Sequence, residues 1–248
     1  MEENKDPQNK KHIHPITRVI QDVVSILTEL GFEVAQGPEI EDEHYNFDAL
    51  NVPKDHPARD MHDTFWLKPL DLRKLLRTQT SDVQIRFMEK NKPPFRIVSP
   101  GKVFRNEATD STHETQFHQV EGLTVGKDVS LAQLKGVLET VLKKLFGEDV
   151  QIRLRPGYFP FVEPGVEIDM ICSKCNAKGC PSCGHNGWIE VLGAGMVNPK
   201  VLNGVGIDSR EFQGFAFGIG VERLAMLKYG IDDVRLLYSG DLRFGEQF

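Results

Sequence analysis

What most constrains this chain is the order in which helical and strand patterns succeed one another. Ile16, Val19, Ile20, Val23, Leu27 and Leu30 recur at helical spacing, with Pro15 at the first helical position and Gly31 closing the element. The stretch 40–66 is irregular and dense in His, Asp and Pro, and reads as a long ordered loop. Ser81 and Gln84 form a capping-box pair that predicts a helix to about Glu89. Strands are then predicted at Phe95–Ser99, Lys102–Glu107 and Phe117–Val125, with no helix between them. Ser130 and Gln133 cap a further helix whose apolar face is Leu131, Leu134, Leu138, Val141 and Leu145, ended by Gly147. Strands at 151–155, 167–171, 188–192 and 213–218 follow, and a last clear helix runs from Val221 to Tyr229. Parallel neighbours would need a crossover between successive strands. Strands that arrive in runs predict an α+β fold instead, a mostly antiparallel sheet flanked by helices.

At 248 residues the chain is long for one domain and short for two large ones. The expected division is a polar, Lys-rich flexible leader at 1–14 and one main domain at 15–248. A net charge of −6 argues against a free-standing basic nucleic-acid module, though not against a local basic patch. No apolar run approaches the roughly 20 residues of a membrane span, and the first residues do not read as a signal peptide. No membrane partner and a cytoplasmic location are the expectation.

All four cysteines fall within one short segment, spaced C-x2-C-x4-C-x2-C: Cys172, Cys175, Cys180 and Cys183. Two such knuckles bring four thiolates within reach of one tetrahedral ion, with Gly179 and Gly184 allowing the tight turns. Four cysteines leave no open coordination position, so the pattern predicts structural Zn²⁺ in a small insertion at 172–183. Reduced, unliganded cysteines or a redox pair are the alternatives, and His185 is a competing ligand. The run Thr112–His118 imitates a metalloprotease HExxH, but His113 and His118 are five apart, which on a helix would not share a face.

Period-two alternation puts Val103, Arg105 and Glu107 on one face of their strand and Phe117, Gln119 and Glu121 on one face of the next. If the two strands pair across the 108–116 loop, an arginine, two glutamates, a glutamine and an aromatic ring share a surface. An ordinary solvated sheet face has the same alternation, yet the mixture suits a nucleotide and an amino acid. Arginine neutralises phosphate, an aromatic stacks a base, and carboxylate with amide binds an ammonium. Gly214 to Arg223 is a Gly-rich strand entering a helix, without a standard phosphate-loop pattern. The cluster Tyr158-Phe159-Pro160-Phe161 fits core packing as well as a pocket wall.

Several separated motifs, taken together, resemble the catalytic part of the alpha subunits of bacterial phenylalanyl-tRNA synthetases, which are class II aminoacyl-tRNA synthetases. They are GFEVAQGPEIE, FDALNVPKDHPARDMHDTFW, LLRTQTS, PGKVFRNEATDSTHETQFHQVEGL, YFPFVEPG, LGAGMVNPKVL and GFAFGIGVERLAMLKYGI, in that order over residues 14–248. The resemblance implies a six-stranded antiparallel sheet flanked by helices, with the segment around Pro38 as the first class II motif. It implies ATP bound by Arg105 on the α-phosphate, Glu107 and Phe117 on adenine, His113 near the outer phosphates and Arg223 on the γ-phosphate, with Arg105 and Arg223 catalytic. Phenylalanine would be held by Gln79, Ser81, Gln119 and Glu121 at its polar end. Phe159 and Phe161 would meet the ring, and Ala216 would limit pocket depth. Glu163 would bind Mg²⁺.

The implied reaction is activation of L-phenylalanine by ATP and transfer to the 2′-OH of the terminal adenosine of tRNA(Phe). The implied partner is a beta subunit in an (αβ)₂ heterotetramer. Relatives usually carry an N-terminal helical arm that contacts tRNA, where this sequence reads as a short polar leader. Gln79 stands where many relatives have histidine. The alternatives are a paralogue that transfers the activated amino acid to another acceptor, against which the intact amino-acid-pocket residues argue, and a regulatory scaffold, which would be expected to lose one of the two arginines, yet both are present.

Overall fold

The structure, a computed structural model, describes residues 12–61, 63–172 and 174–248. Its first helix, α1 (Pro15–Glu29), begins at the expected proline, and His14 Nδ1 accepts the Ile16 amide at 3.3 Å as its cap. Gly31 leaves it with φ +85°, a backbone state glycine adopts freely. Most of the expected leader, residues 1–11, lies outside the described residues. His12 and His14 are tied down rather than loose, bonding the carbonyls of Phe248 and Leu237 at 2.9 and 3.0 Å.

After β1 (Glu33–Val34), a strand β2 (Ile40–Asp42) pairs antiparallel with β3 (Lys74–Leu76). The segment expected as loop thus holds that strand, a π-helical turn at His44–Asp48 and a 3₁₀ turn at Pro57–Arg59. Then come α2 (Ser81–Met88), β4 (Phe95–Phe104), β5 (Gln116–Gly126) and α3 (Leu131–Phe146). The rest are β6 (Ile152–Phe159), β7 (Val162–Ile171), β8 (Trp188–Val197), α4 (Pro199–Gly204), β9 (Gln213–Gly220), α5 (Val221–Tyr229) and α6 (Leu242–Gly245).

The large sheet has seven strands in the order β1-β4-β5-β9-β8-β7-β6, not the six expected. Six of them form the expected antiparallel array; the seventh, β1, pairs parallel with β4 through Glu33↔Ile97 and Val34↔Val98. Two residues carry no alternation to read. β4 also runs unbroken through Pro100-Gly101, where a break was expected. β1 covers only Ile97 and Val98, so Pro100 lies on a free edge that needs no amide donor.

One face of the sheet is covered by α1, α3 and α5, around a core that includes Val19, Leu27, Leu138, Leu142, Ile168 and Ile219. α3 has the expected capping box, and Gly147 ends it. A second core, with Phe47, Leu75, Ile85, Ile97, Leu123, Val197 and Leu202, lies among α2, α4, the π-turn and the strands. Burial of apolar surface in these two cores, at roughly 25 cal/mol per Å², stabilises the part of the sheet that carries the site.

Candidate active site

The second layer does not close completely on the sheet; a cavity of about 680 Å³ remains, lined by the segment from Phe47 to Asp63, α2, the strand ends and the β6–β7 corner. Its floor follows from register. Ser99, Glu121, Gly218, Gly193 and Glu167 are successive cross-strand partners, so they form one row across the sheet. The next row on the same face is Leu123, Ala216, Gly195 and Gly165. Small residues in the middle of both rows leave a trench between the polar Glu121 end and the aromatic corner. At Gly193 an added Cβ would come within 2.8 Å of the Phe159 ring.

Glu121 is 5% exposed and accepts three hydrogen bonds: from the Thr80 amide at 3.2 Å, Ser81 Oγ at 2.6 Å and Gln84 Nε2 at 2.9 Å. All three donors come from the start of α2. Ser81 and Gln84 therefore do not form the expected capping box; Thr80 is the N-cap residue and its side chain caps nothing. A buried carboxylate needs donors more than an exposed helix end does, and it takes the side chains that local pattern assigned to the cap. Burial pushes the Glu121 pKa up, and the three donors together with Arg105 work against that push.

Gln119 lies two residues along the same strand face, and its Oε1 is buried with no hydrogen-bond partner. A buried acceptor left unpaired costs about 1–3 kcal/mol. Beside a carboxylate, it is an arrangement that asks for an N–H donor from a ligand. Gln79 also lines the cavity, donating through Nε2 to the Asn46 carbonyl at 3.2 Å.

The structure brings Gln79, Ser81, Gln119, Glu121, Phe159, Phe161 and Ala216 together around the cavity, along with Arg105 and Glu107. Phe159 and Phe161 stack with centroids 6.0 Å apart, and Asn51 Nδ2 pins their corner through the Pro160 carbonyl at 2.7 Å. Arg105 and Glu107 lie beyond the end of β4 rather than within a strand, although the Arg105 amide still donates to Thr115 O at 2.9 Å. The Arg105 guanidinium lies over the Phe117 ring, 5.0 Å from its centroid, and reaches Thr78 O through Nε at 3.3 Å.

Other expected residues lie apart. Phe117, His113, Arg223 and Glu163 are not among those lining the cavity. His113 is exposed on the β4–β5 loop, where Asp110 takes its ring Nδ1 at 3.0 Å and its amide at 2.8 Å. His118 lies on β5, where its ring Nδ1 meets Glu222 Oε1 at 2.8 Å, so the two histidines of that run share no helix. Arg223 is exposed on the first turn of α5 and donates through Nε to Glu190 O at 3.3 Å. Glu163 is exposed on β7.

Sequence reasoning missed Gln84 as a site residue, and Asn46 altogether. Asn46 is fully buried and holds Thr78 through its amide at 3.0 Å, keeping the approach to α2 in place. Its only signal was polarity inside a segment with no periodicity.

The four cysteines lie at the tip of the β7–β8 hairpin, just past the Ile171↔Trp188 pair. Their sulfurs all fall within 4.8 Å of one another, at 3.8 Å for Cys172–Cys180 and Cys175–Cys183 and 3.7 Å for Cys180–Cys183. A tetrahedron with Zn–S bonds of about 2.3 Å has S···S edges of about 3.8 Å. The amides of Cys180 and Gly187 donate to Cys183 Sγ at 3.1 and 3.3 Å, which favours a thiolate. Gly179 and Gly184 have the positive φ values, +86° and +57°, that the tight turns require. The donor set and its spacing fit zinc. His185 is not part of the group.

The family described as tRNA synthetases class II core domain (F) matches residues 1–248. Over 237 residues the chain is 56% identical to a phenylalanine–tRNA ligase alpha subunit from Bacillus licheniformis, covering 95% of this chain and 68% of that one. It is 57% identical over 240 residues to a protein of the same name from Dehalococcoides mccartyi, covering 95% and 69%, and 54% identical over 242 residues to one from Caldanaerobacter subterraneus, covering 98% and 70%. Among solved structures, a pyrrolysyl-tRNA synthetase from Desulfitobacterium hafniense superposes with a TM-score of 0.70 at 17% identity, over 93% of this chain and 75% of that one. At that identity the likeness is one of fold.

Proposed function

We propose, for a chain that belongs to the class II tRNA synthetase core family and within it to the phenylalanine–tRNA ligase alpha subunits, that the cavity activates L-phenylalanine with ATP. The observation that carries this reading is the pairing of the unpartnered Gln119 Oε1 and the Glu121 carboxylate at one end with the Phe159–Phe161 corner at the other. An α-ammonium satisfies the first and a phenyl ring fills the second, with Ala216 on the floor setting the depth. Gln79 and Ser81 hold the polar end in place.

On this reading the phenylalanine carboxylate attacks the α-phosphate of ATP, and pyrophosphate leaves. Arg105 neutralises the charge that builds on the α-phosphate, which it can do without covalent chemistry. To meet a phosphate the guanidinium turns from its place over Phe117, freeing that face of the ring for adenine, which Glu107 reads. His113 and Arg223 take the outer phosphates. Mg²⁺ supplies further charge neutralisation when bound. Glu163 is our proposed ligand, and one carboxylate is an ordinary protein share for an ion held mostly by phosphates and water.

The activated phenylalanine passes to the 2′-OH of the terminal adenosine of tRNA(Phe). The working unit is an (αβ)₂ heterotetramer with a beta subunit, in which residues 15–248 are the catalytic domain. Structural Zn²⁺ sits on Cys172, Cys175, Cys180 and Cys183, and metal analysis should find about one zinc per chain. Among the described residues no helix is long and apolar enough to cross a membrane. Charging of a tRNA(Phe) transcript with labelled phenylalanine by the assembled subunits tests the whole reading. A transcript ending in 2′-deoxyadenosine should not be charged. Equal charging of the deoxy transcript would refute transfer to that hydroxyl.

A further inference from the structure

The last cross-strand pair between β5 and β9 is Gln119↔Gly220. Beyond it β9 turns into α5, and the backbone amide of His118 is left without a strand partner on that side. The side chain of Glu222, in the first turn of α5, takes the missing strand's place. Its two carboxylate oxygens each lie 3.0 Å from the His118 amide, and Oε1 lies 2.8 Å from His118 Nδ1. Tyr238, from a 3₁₀ turn at Val234–Tyr238, donates its hydroxyl to the same oxygen at 2.5 Å. Burial and the neighbouring carboxylate push the Tyr238 pKa up, so the hydroxyl stays protonated and remains a donor.

Glu222 is 5% exposed, so three donors converge on a charge removed from water. Such charge-assisted bonds are the strong ones, and they are directional. By strand alternation His118 points to the helix side of the sheet, away from the cavity face that carries Phe117 and Gln119. Glu222 is not among the residues lining the cavity. It sits one residue from Arg223, and His118 sits one residue from Phe117.

We propose that Glu222, gripped by His118 and Tyr238, is a positioning residue that fixes the two ends of the ATP site, Phe117 and Arg223, relative to each other. The inference rests on the reading of those two residues as ATP contacts. Phe117 belongs to β5 and Arg223 to α5, and the strand ladder that would otherwise register these elements has ended at Gln119. A base stacked on one and a phosphate held by the other span that gap. The carboxylate closes it from behind, and Tyr238 makes the C-terminal segment part of the same lock. The phenylalanine end of the cavity is held separately, by α2 on Glu121.

The test is calorimetric titration of the assembled αβ enzyme with ATP alone and with phenylalanine alone. Glu222→Gln places an amide NH₂ among three donors, and should weaken ATP binding by about tenfold or more while leaving phenylalanine affinity within about twofold. Tyr238→Phe removes one donor without changing shape. It should weaken ATP binding about two- to fivefold, again selectively, in a chain that still folds with a melting temperature lowered by several degrees. A general loosening of the fold would lower both affinities together, and that result, or unchanged ATP affinity in folded Tyr238→Phe and Glu222→Gln, overturns the inference. Phe117→Ala and Arg223→Ala separate the two levels. If they leave ATP binding intact, the reading of the ATP site has failed. If they weaken it and the Glu222 and Tyr238 variants do not, only the positioning role has.

Discussion

Glu121 concentrates the electrostatics of the amino-acid end in one side chain, and the cost of changing it should be specific. Glu121→Gln removes the charge that an ammonium would meet and sets an NH₂ against donors from Thr80, Ser81 and Gln84. Loss of a charged hydrogen-bond partner is worth about 1.5–3 kcal/mol, so the phenylalanine KM should rise roughly 10- to 100-fold with the ATP KM little moved. Equal rises in both KM values would contradict that division of labour. One residue away from Ser81, Asp82 is fully buried with neither carboxylate oxygen hydrogen-bonded. Burial, and then the Glu41 carboxylate, push its pKa from 3.8 up to about 8 against the pull of Arg77. Well below pH 4, folded and unfolded chains both hold the proton and stability is complete. Between there and pH 8 the unfolded chain releases it while the folded chain keeps it, so stability falls as pH rises. Asp82→Asn should therefore raise the melting temperature at pH 8 and leave it nearly unchanged at pH 4; a constant offset at both would exclude this account. At this scale the sequence was legible where alternation applies, as at Gln119 and Glu121. It misled at Ser81 and Gln84, because a capping motif looks the same whether its side chains serve the helix or a carboxylate 37 or more positions away.

The elements depend on close approach of backbones in the β7–β8–β9 part of the sheet. A Cβ at Gly195 would sit 2.5 Å from the Pro164 carbonyl and 2.7 Å from Val162 Cβ. Backbone cannot yield as a side-chain tip can, so Gly195→Ala should cost roughly 1–3 kcal/mol, read as a fall in the denaturant midpoint. The cysteine tip belongs to the same hairpin. Stripping metal with a chelator should lower the melting temperature and speed amide exchange at Ile171 and Trp188, where the hairpin meets the four thiols, but not in α1. Chelation without any change at those amides would argue against a structural ion. Helices with clear period and caps, α1, α3 and α5, could be placed from the sequence almost to the residue. Strands were placed but drawn short, because β6, β7 and β8 run on through Gly and Pro positions that normally punctuate. β1 and β2 escaped, since strands of two and three residues owe their existence to a neighbour.

In the whole molecule, one helical layer packs one face of the sheet, and an incomplete second layer on the other leaves the trench. Glu121 and Arg105 bring opposite charges to that trench, with an aromatic corner beyond, and the proposed reading places an ammonium at the first and a phosphate near the second. The order of elements foretold the antiparallel sheet, and the motifs pointed to the chemistry. The depth and position of the cavity were not legible, because they depend on which side chains are missing from the floor. The most direct measurement is phenylalanine-dependent ATP–pyrophosphate exchange by the assembled subunits, with tyrosine and no amino acid as controls. The account predicts exchange that saturates with phenylalanine, is far weaker with tyrosine, and collapses in Arg105→Ala. No phenylalanine-dependent exchange in a folded, ATP-binding assembly would contradict it.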